Sequence, residues 1–314
     1  MFKTLFRPLI QAHNINKIKK LAVNGDAEAQ NKFAKMYHFG LYVEQNYTQA
    51  AIWYTKAATQ GVIQAQSALG ELYEYGQGVK QNDAKAFEWY HKAAARGDAY
   101  AQNSIGWMYE KGKGAEQDYK KALQWYSKAA EQGEIDAQYN LGVMYNNGLG
   151  IAQNYKMAFR WLKQAAEKGH IQAQAVVAAM LFEGLGVTKD ESLALDFYHQ
   201  SAKSGFAPAQ SHLGVIKERN REFSDARVWY RKAAEQGEPS ALSHLGLMYE
   251  FGESVARNRI IAYGLFEMAV TQGDKTALDI RDTIAKSLTQ SQREEAIELA
   301  HNPKKLWELL DNTL

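Results

Sequence analysis

The residue types that could carry catalysis are few in this chain and are not spaced for it. There is no cysteine, which excludes thiol nucleophiles, thiolate metal sites and disulfides together. None of the serines is followed three residues later by lysine, the spacing that brings a lysine beside a serine nucleophile. The eight histidines form no His-Glu-x-x-His or other ligand spacing. We therefore expect no enzyme activity, no metal and no cofactor.

Four Gly-x-Gly pairs look like fragments of a phosphate-binding loop. A phosphate loop needs a preceding strand, whereas these pairs follow a helical pattern and recur in successive segments. We expect them to be helix C-caps and turns that use positive φ, without nucleotide binding. The pairs are Gly76 and Gly78, Gly112 and Gly114, Gly148 and Gly150, and Gly184 and Gly186.

The elements that carry these residues repeat along the chain. A closing glycine recurs every 36 residues from Gly25 to Gly205, then at Gly237 and Gly273. A period of about 20 to 50 residues marks a solenoid or array. We divide the chain into an N-terminal helical cap (1–24), seven repeats within 25–273, and a C-terminal helical cap (274–314). The seven repeats are 26–61, 62–97, 98–133, 134–169, 170–205, 206–237 and 238–273.

The sequence pattern of each repeat predicts two helices joined by a turn. We call the first helix A and the second helix B, and in most repeats the turn between them is rich in glycine. In 98–133, apolar and small residues recur at helical spacing on both helices. Gly106 and Ala122 should let the helices approach closely, while Tyr109 and Trp125 fill the space between neighbouring pairs. The same columns hold Tyr37, Tyr73, Tyr145 and Tyr249, and Trp53, Trp89, Trp161 and Trp229.

Two later segments depart from the pattern. The sixth repeat is four residues shorter and has no glycine between its helices, so we expect a tight turn near Asn220. After Gly273, Ser291 and Glu294 have the spacing of a capping box, and Asn302-Pro303 should end the helix that follows.

Composition narrows the choice of partner and compartment. Lysine and arginine number 37 against 35 aspartates and glutamates, which argues against nucleic acid. No apolar run is long enough to span a membrane, and the N-terminal residues do not resemble a secretory signal, so we expect a cytoplasmic protein. Basic residues in 1–24 leave contact with an anionic membrane surface as an alternative to a solvated cap face.

The pattern A-x-x-x-L-G-x-x-Y-x-x-G-x-G-V, followed by A-x-x-W-Y-x-K-A-A-x-x-G, resembles the Sel-1-like repeat (SLR) family over residues 25–273. The resemblance implies an all-α fold, a right-handed α/α superhelix (TPR-like solenoid) of seven helix pairs with helical caps. It also implies a non-enzymatic scaffold or adaptor that holds a protein or peptide on its concave face. Bacterial members act in signalling, secretion, envelope and host-interaction pathways.

The resemblance leaves two alternatives. One is a cognate inhibitor, of the immunity type, that masks an effector. The other is a penicillin-binding or β-lactamase-like hydrolase, an activity linked to relatives with a cysteine pair in each repeat. This chain has no cysteine, which argues against the hydrolase alternative.

In solenoids of this kind the A helices line the inner groove, which gives a candidate site for a partner. Exposed aromatic residues would take side chains of an extended peptide, and asparagines would pair with its backbone. The glutamates favour a partner of basic character. Trp107 stands outside the predicted buried column, so it lies either exposed in the groove or packed against the next repeat. The predicted site is Glu71, Glu74, Tyr75, Tyr100, Asn103, Trp107, Glu110, Tyr139 and Asn146.

Overall fold

A computed structural model describes residues 15–311, which form helices and turns and contain no strand. Helix α1 covers residues 15–23. Seven helix pairs follow: α2 (Ala27–Phe39) and α3 (Tyr47–Thr59), α4 (Ile63–Tyr75) and α5 (Asp83–Ala94), α6 (Ala99–Lys111) and α7 (Tyr119–Glu131), α8 (Ile135–Asn147) and α9 (Tyr155–Glu167), α10 (Ile171–Glu183) and α11 (Glu191–Lys203), α12 (Ala207–Arg219) and α13 (Phe223–Ala234), α14 (Pro239–Phe251) and α15 (Arg259–Thr271). The C-terminal helices are α16 (Ala277–Ala285), α17 (Gln290–His301) and α18 (Pro303–Asp311).

Capping residues fix where the paired helices begin and end. Six B helices start at an asparagine or aspartate whose side chain accepts a hydrogen bond from a backbone N–H of the first turn. These residues are Asn46, Asn82, Asp118, Asn154, Asp190 and Asn258. Six of the seven A helices end on a glycine in the left-handed region, as at Gly112 with φ 66°. The predicted structural role of the Gly-x-Gly pairs is therefore confirmed.

A glycine in the middle of the A helix allows the two helices of a pair to touch. A Cβ on Gly106 would lie 2.7 Å from Cδ1 of Tyr126, so no larger residue fits without movement of the ring. The equivalent contacts join Gly70 to Tyr90 and Gly142 to Leu162. Ala122 is fully buried as expected, but the side chain that meets Gly106 belongs to Tyr126.

The predicted burial of the tryptophan column is wrong by one position. Trp53, Trp89, Trp125, Trp161 and Trp229 are half-buried, and the next residue along each helix is the fully buried one. A step of about 100° around the helix points that next residue into the pair and leaves the indole at its edge. There the ammonium group of a lysine three residues on lies 4.1–4.7 Å from the ring centroid in four repeats. Of the tyrosine column, Tyr249 is buried and Tyr37, Tyr73, Tyr109 and Tyr145 are half-buried.

The sixth pair has the predicted tight turn. Asn220 caps α12, Arg221 takes φ 62°, and α13 begins at Phe223. The Nζ of Lys217, which replaces the tyrosine of other repeats, lies 2.5 Å from a carboxylate oxygen of Glu222 across this turn.

The predicted capping box lies two residues from its expected place. Thr289 caps α17, its side chain accepting from the backbone N–H of Gln292, whose side chain accepts in return from the Thr289 backbone N–H. Thr289 has the extended backbone that a cap requires, with φ −69° and ψ 166°, so the helix starts before Ser291. Asn302 ends the helix as predicted.

The chain divides into two compact units, Met1–Ala165 and Ala166–Leu314. In the first, Ile15 and Ile18 of α1 pack against a cluster that includes Phe33 and Met36. In the predicted N-terminal cap, the apolar residues from Leu5 to Ile10 predict a short helix and Asn14 predicts a helix cap, but both lie outside the described residues. No helix in the described part of the chain has the length and apolarity needed to cross a membrane.

Candidate protein-binding site on the first A helices

A cavity of about 340 Å³ opens between the A helices of the first three repeats. We call this cavity and its rim the Glu71 groove. Helices α2, α4 and α6 hold its walls in place through the glycine contacts and caps described above. Its lining residues are Lys35, His38, Phe39, Tyr54, Gln64, Ser67, Ala68, Glu71, Asp98 and Tyr100.

Glu71 brings an uncompensated carboxylate to this groove. The side chain is half-buried, and within residues 15–311 it has no hydrogen-bond or ion-pair partner. Burial raises the pKa of Glu71 above its ordinary value, and no nearby cation lowers it. The carboxylate therefore stays in the groove wall without a counter-charge from the chain.

The charge of Glu71 contributes to the raised pKa values of two exposed tyrosines, Tyr75 and Tyr100. Burial, and then the charges of Glu74 and Glu71, raise the pKa of Tyr75. Burial, and then the charge of Glu71, raise the pKa of Tyr100 to about 12. Tyr75 is 61% exposed and Tyr100 is 41% exposed, so both rings are accessible to a partner.

Glu74 lies beside this group but has a structural partner. Its carboxylate accepts a 2.8 Å hydrogen bond from the hydroxyl of Tyr90, the buried aromatic residue of α5. Burial raises the pKa of Glu74, while Tyr90 and Lys113 act in the opposite direction. Glu74 therefore joins the two helices of its pair and also adds negative charge beside Glu71.

Three residues of α2 complete the groove, and they were not in the predicted site. His38 is 8% exposed, its ring stacks on Phe39 at 4.4 Å, and its Nδ1 has no hydrogen-bond partner among the described residues. Burial lowers the pKa of His38, which keeps the imidazole neutral near pH 7. Phe39 is 60% exposed, and Lys35 is exposed on the same helix. These residues occupy the A-helix columns that hold Glu71, Glu74 and Tyr75 in the second repeat, so the sequence contained the signal.

Of the predicted residues, Glu71 and Tyr100 line the cavity, whereas Glu74, Tyr75 and the remaining ones are not among its lining residues. Glu110 accepts a 2.9 Å hydrogen bond from the buried Tyr126 and pairs with Lys111 at 2.6 Å. Tyr139 is half-buried, and burial followed by the charge of Glu110 raises its pKa.

The two predicted asparagines are bonded to neighbouring asparagines. The side chain of Asn103 accepts from Asn140 at 3.0 Å, and that of Asn146 donates to Asn147 at 2.9 Å. Neither residue lines the Glu71 groove.

Trp107 takes the second of the two positions considered for it. It is half-buried and packs against two core clusters, one formed by α5 and α6 and the other by α7 and α8. The Lys113 ammonium group lies 5.0 Å from its ring centroid. Trp107 therefore contributes to packing between repeats, and the exposed aromatic residues of the groove are Phe39, Tyr75 and Tyr100.

A row of buried glutamines links successive repeats. These glutamines were not among the residues predicted from the sequence. Each lies on an A helix and donates to a backbone carbonyl at the end of the preceding B helix at 3.1–3.2 Å, as Gln102 does to Ala94. In five cases the side chain also bonds to a glutamine at the end of the following B helix, as Gln102 does with Gln132 at 2.7 Å. The glutamine recurs at one position in six of the seven repeats, which is the signal that could have found it. Its members are Gln30, Gln66, Gln102, Gln138, Gln174 and Gln210.

The histidines and carboxylates of residues 15–311 form no group able to hold a metal ion. His212 stacks on Tyr198 with ring centroids 5.1 Å apart, and His244 stacks on Tyr230 at 4.8 Å. Both imidazoles therefore pack against the buried aromatic residue of a B helix.

Comparison with known proteins identifies the family. The pattern of the Sel1 repeat matches seven consecutive segments: 27–62, 63–98, 99–134, 135–170, 171–206, 209–238 and 239–274. The chain belongs to the Sel1 repeat family. The all-α Sel1 solenoid expected from the sequence is thereby confirmed.

Two solved structures of Sel1 proteins are similar over most of the chain. One is a protective antigen present in uropathogenic Escherichia coli strains, which displays an SLR fold; the identity is 37%, 90% of this chain is covered and the TM-score is 0.77. This chain spans 62% of the length of that antigen. The other is a Sel1 repeat protein from Oxalobacter formigenes, with 30% identity, 87% of this chain and 80% of the other covered, and a TM-score of 0.67. None of the curated proteins matches this chain.

Proposed function

We propose that this Sel1 protein is a non-enzymatic scaffold that binds a protein segment in the Glu71 groove. Sel1-repeat proteins are generally protein-interaction scaffolds, and this chain carries seven such repeats. The observation that carries the proposal is a set of three exposed aromatic residues at one groove: Phe39 and Tyr100 line the cavity, and Tyr75 lies one helical turn beyond the lining residue Glu71 on α4. Each comes from a different A helix and is 41% exposed or more.

The physical argument is that exposed aromatic residues on rigid helices make effective anchors. Aromatic side chains dominate binding energy at interfaces, because they bury a large area with few rotatable bonds. Here the helices of Tyr75 and Tyr100 pack closely on their partner helices at the Gly70–Tyr90 and Gly106–Tyr126 contacts. A segment that binds would therefore lose its own freedom while ordering little of the scaffold.

Selection from a library of random 12-residue peptides displayed on phage tests the proposal. The full chain is compared with a Tyr75→Ala/Tyr100→Ala variant and with an Ile52→Ala variant, since Ile52 is 44% exposed on α3 and lies outside the groove. Peptides selected on the full chain should lose at least about tenfold in affinity for the groove variant and keep their affinity for the Ile52 variant. Equal affinity for all three proteins would place binding elsewhere.

The two alternatives and the finer expectations stay predictions. An inhibitor that masks an effector would be a special case of the same groove, distinguished by an effector activity that the purified chain suppresses. A hydrolase would turn over a β-lactam and yield a serine-labelled peptide with a covalent probe. The cytoplasmic location and the pathway stay predictions, as does the membrane-surface alternative, part of whose basic segment lies outside the described residues.

A further inference from the structure

We infer that the Glu71 groove receives an arginine side chain of the bound protein segment. The guanidinium group would pair with the Glu71 carboxylate and lie beside the rings of Tyr75 and Tyr100. This inference rests on the proposed function and assigns the chemistry that the groove recognises.

The first step is the charge of the groove. Glu71 is half-buried without a counter-charge, and Glu74 lies close enough for the two carboxylates to influence each other. A buried charge without a partner is costly, so an incoming cation that makes hydrogen bonds to it gains more than it would at a fully solvated carboxylate. Asp98 is a third acid in the lining, although its carboxylate already accepts from the backbone N–H of Ala101 at 2.8 Å.

The second step is the aromatic surroundings. Tyr100 lines the same cavity as Glu71, and Tyr75 follows Glu71 by one helical turn on the same face of α4. Phe39 adds a third exposed ring at the α2 side. A cation held by a carboxylate between ring faces gains both a salt bridge and a cation–π attraction.

The third step is the charge of the neighbouring groove wall. His38 lines the cavity and is 8% exposed, and burial lowers its pKa. Because His38 is neutral, it adds no positive charge that would repel a cation.

Arginine fits these features better than lysine does. Its planar guanidinium group presents several N–H donors in a fixed fork, bonds to a carboxylate through two of them and stacks on aromatic rings. Lysine presents a compact, strongly hydrated charge that makes less use of flanking rings. The single cation of the lining, Lys35, is exposed and has no ion-pair partner within the described residues, so it leaves Glu71 available.

The experiment repeats the phage selection on the full chain and on a Glu71→Gln variant. The control is Glu131→Gln, the same substitution at an exposed residue of α7. We expect arginine to be enriched at one position of the peptides selected on the full chain and on the control, and not of those selected on Glu71→Gln. In a selected peptide, replacing that arginine by citrulline, which has nearly the same shape without the charge, should weaken binding about tenfold or more. Replacement by lysine should weaken it less than citrulline does.

The outcomes separate this inference from the proposed function. Groove-dependent peptides without arginine enrichment, or with equal binding of the arginine and citrulline forms, would overturn the inference and leave the scaffold proposal standing. Peptides that bind equally well to the Tyr75→Ala/Tyr100→Ala variant would overturn both. Arginine enrichment that persists on Glu71→Gln would also overturn the inference, because the arginine would then pair with a group other than Glu71.

Discussion

At the scale of single residues, the ionised carboxylate of Glu71 suits the binding of a cation but lowers the stability of the folded chain. Its pKa is raised by burial, so the folded chain binds a proton at Glu71 more tightly than the unfolded chain does. By linkage, this carboxyl favours the folded state below its ordinary pKa, and that contribution is lost as the pH rises through the folded-state pKa. The ionised form present at neutral pH is therefore the less favourable one for folding.

We predict that Glu71→Gln raises the free energy of unfolding at pH 7 by a small amount that shrinks as the pH falls to 4. The reason is that the amide removes the buried charge, which protonation removes from the native residue at low pH. Urea denaturation of both proteins at pH 7 and pH 4 measures the two differences. A native protein that is more stable than the variant at pH 7 would contradict this assignment.

Gly106 makes a second prediction at this scale. Gly106→Ala should lower the free energy of unfolding by about 1–3 kcal/mol, because the added methyl group enters the space of the Tyr126 ring. The gain in helix propensity from glycine to alanine, about 1 kcal/mol, offsets only part of this cost. Ser104→Ala on the same helix is the control and should change stability by less. A variant at Gly106 that is as stable as the native chain would show that the helices can separate freely.

At the scale of elements, a glutamate on the A helix and a tyrosine on the B helix join the two helices of a pair. Tyr126→Phe should destabilise the chain by about 1–3 kcal/mol, because it removes the donor to the half-buried Glu110 carboxylate. The fourth repeat supplies a control, since Asn146 and Leu162 occupy the equivalent positions without such a bond. The double variant Glu110→Asn/Tyr126→Leu should lose less free energy of unfolding than the two single variants lose in total. A double-mutant cycle measured by denaturation gives this difference. Additive single and double effects would mean that the two positions do not interact.

The buried glutamines make a prediction about contacts between elements. Gln102→Leu should cost about 1 kcal/mol or more, because it removes the bonds to the Ala94 carbonyl and to Gln132 within a buried site. Leucine occurs naturally at this position in the seventh repeat, as Leu242, so its size is compatible with the fold. Gln124→Leu, on the exposed surface of α7, is the comparison and should be close to neutral. Similar effects of the two substitutions on the denaturation midpoint would contradict a stabilising role for the buried glutamines.

At the scale of the whole molecule, the repeat and the ends of most of its helices could be predicted from the sequence because they depend on local rules. Glycines with positive φ and Asn or Asp caps act through the backbone within a few residues, so their spacing marks where helices end. The burial of the aromatic columns could not be predicted in the same way. Trp125 and Tyr126 are adjacent, and the apolar pattern suits either register; the close approach at Gly106 is what selects Tyr126.

The candidate site was predictable in part for a related reason. Counting positions along the A helices placed Glu71 and Tyr100 on one face, and both line the same cavity, because residues at fixed offsets share a face. The same count could not show that Glu74 and Glu110 are bonded to tyrosines 16 residues away on the other helix. It also could not show that Trp107 packs between repeats, since that depends on the surfaces of two neighbouring pairs.

Photo-cross-linking tests the central claim, that the Glu71 groove binds a protein segment, most directly. p-Benzoylphenylalanine is placed at Tyr75 in one protein and at Ile52 in another, and each is irradiated with a peptide selected on the full chain. Since Tyr75 lies at the groove and Ile52 on α3 outside it, we expect a covalent product from position 75 that excess unlabelled peptide suppresses, and none from position 52. Cross-linking from position 52 alone, or equally from both positions, would contradict the account.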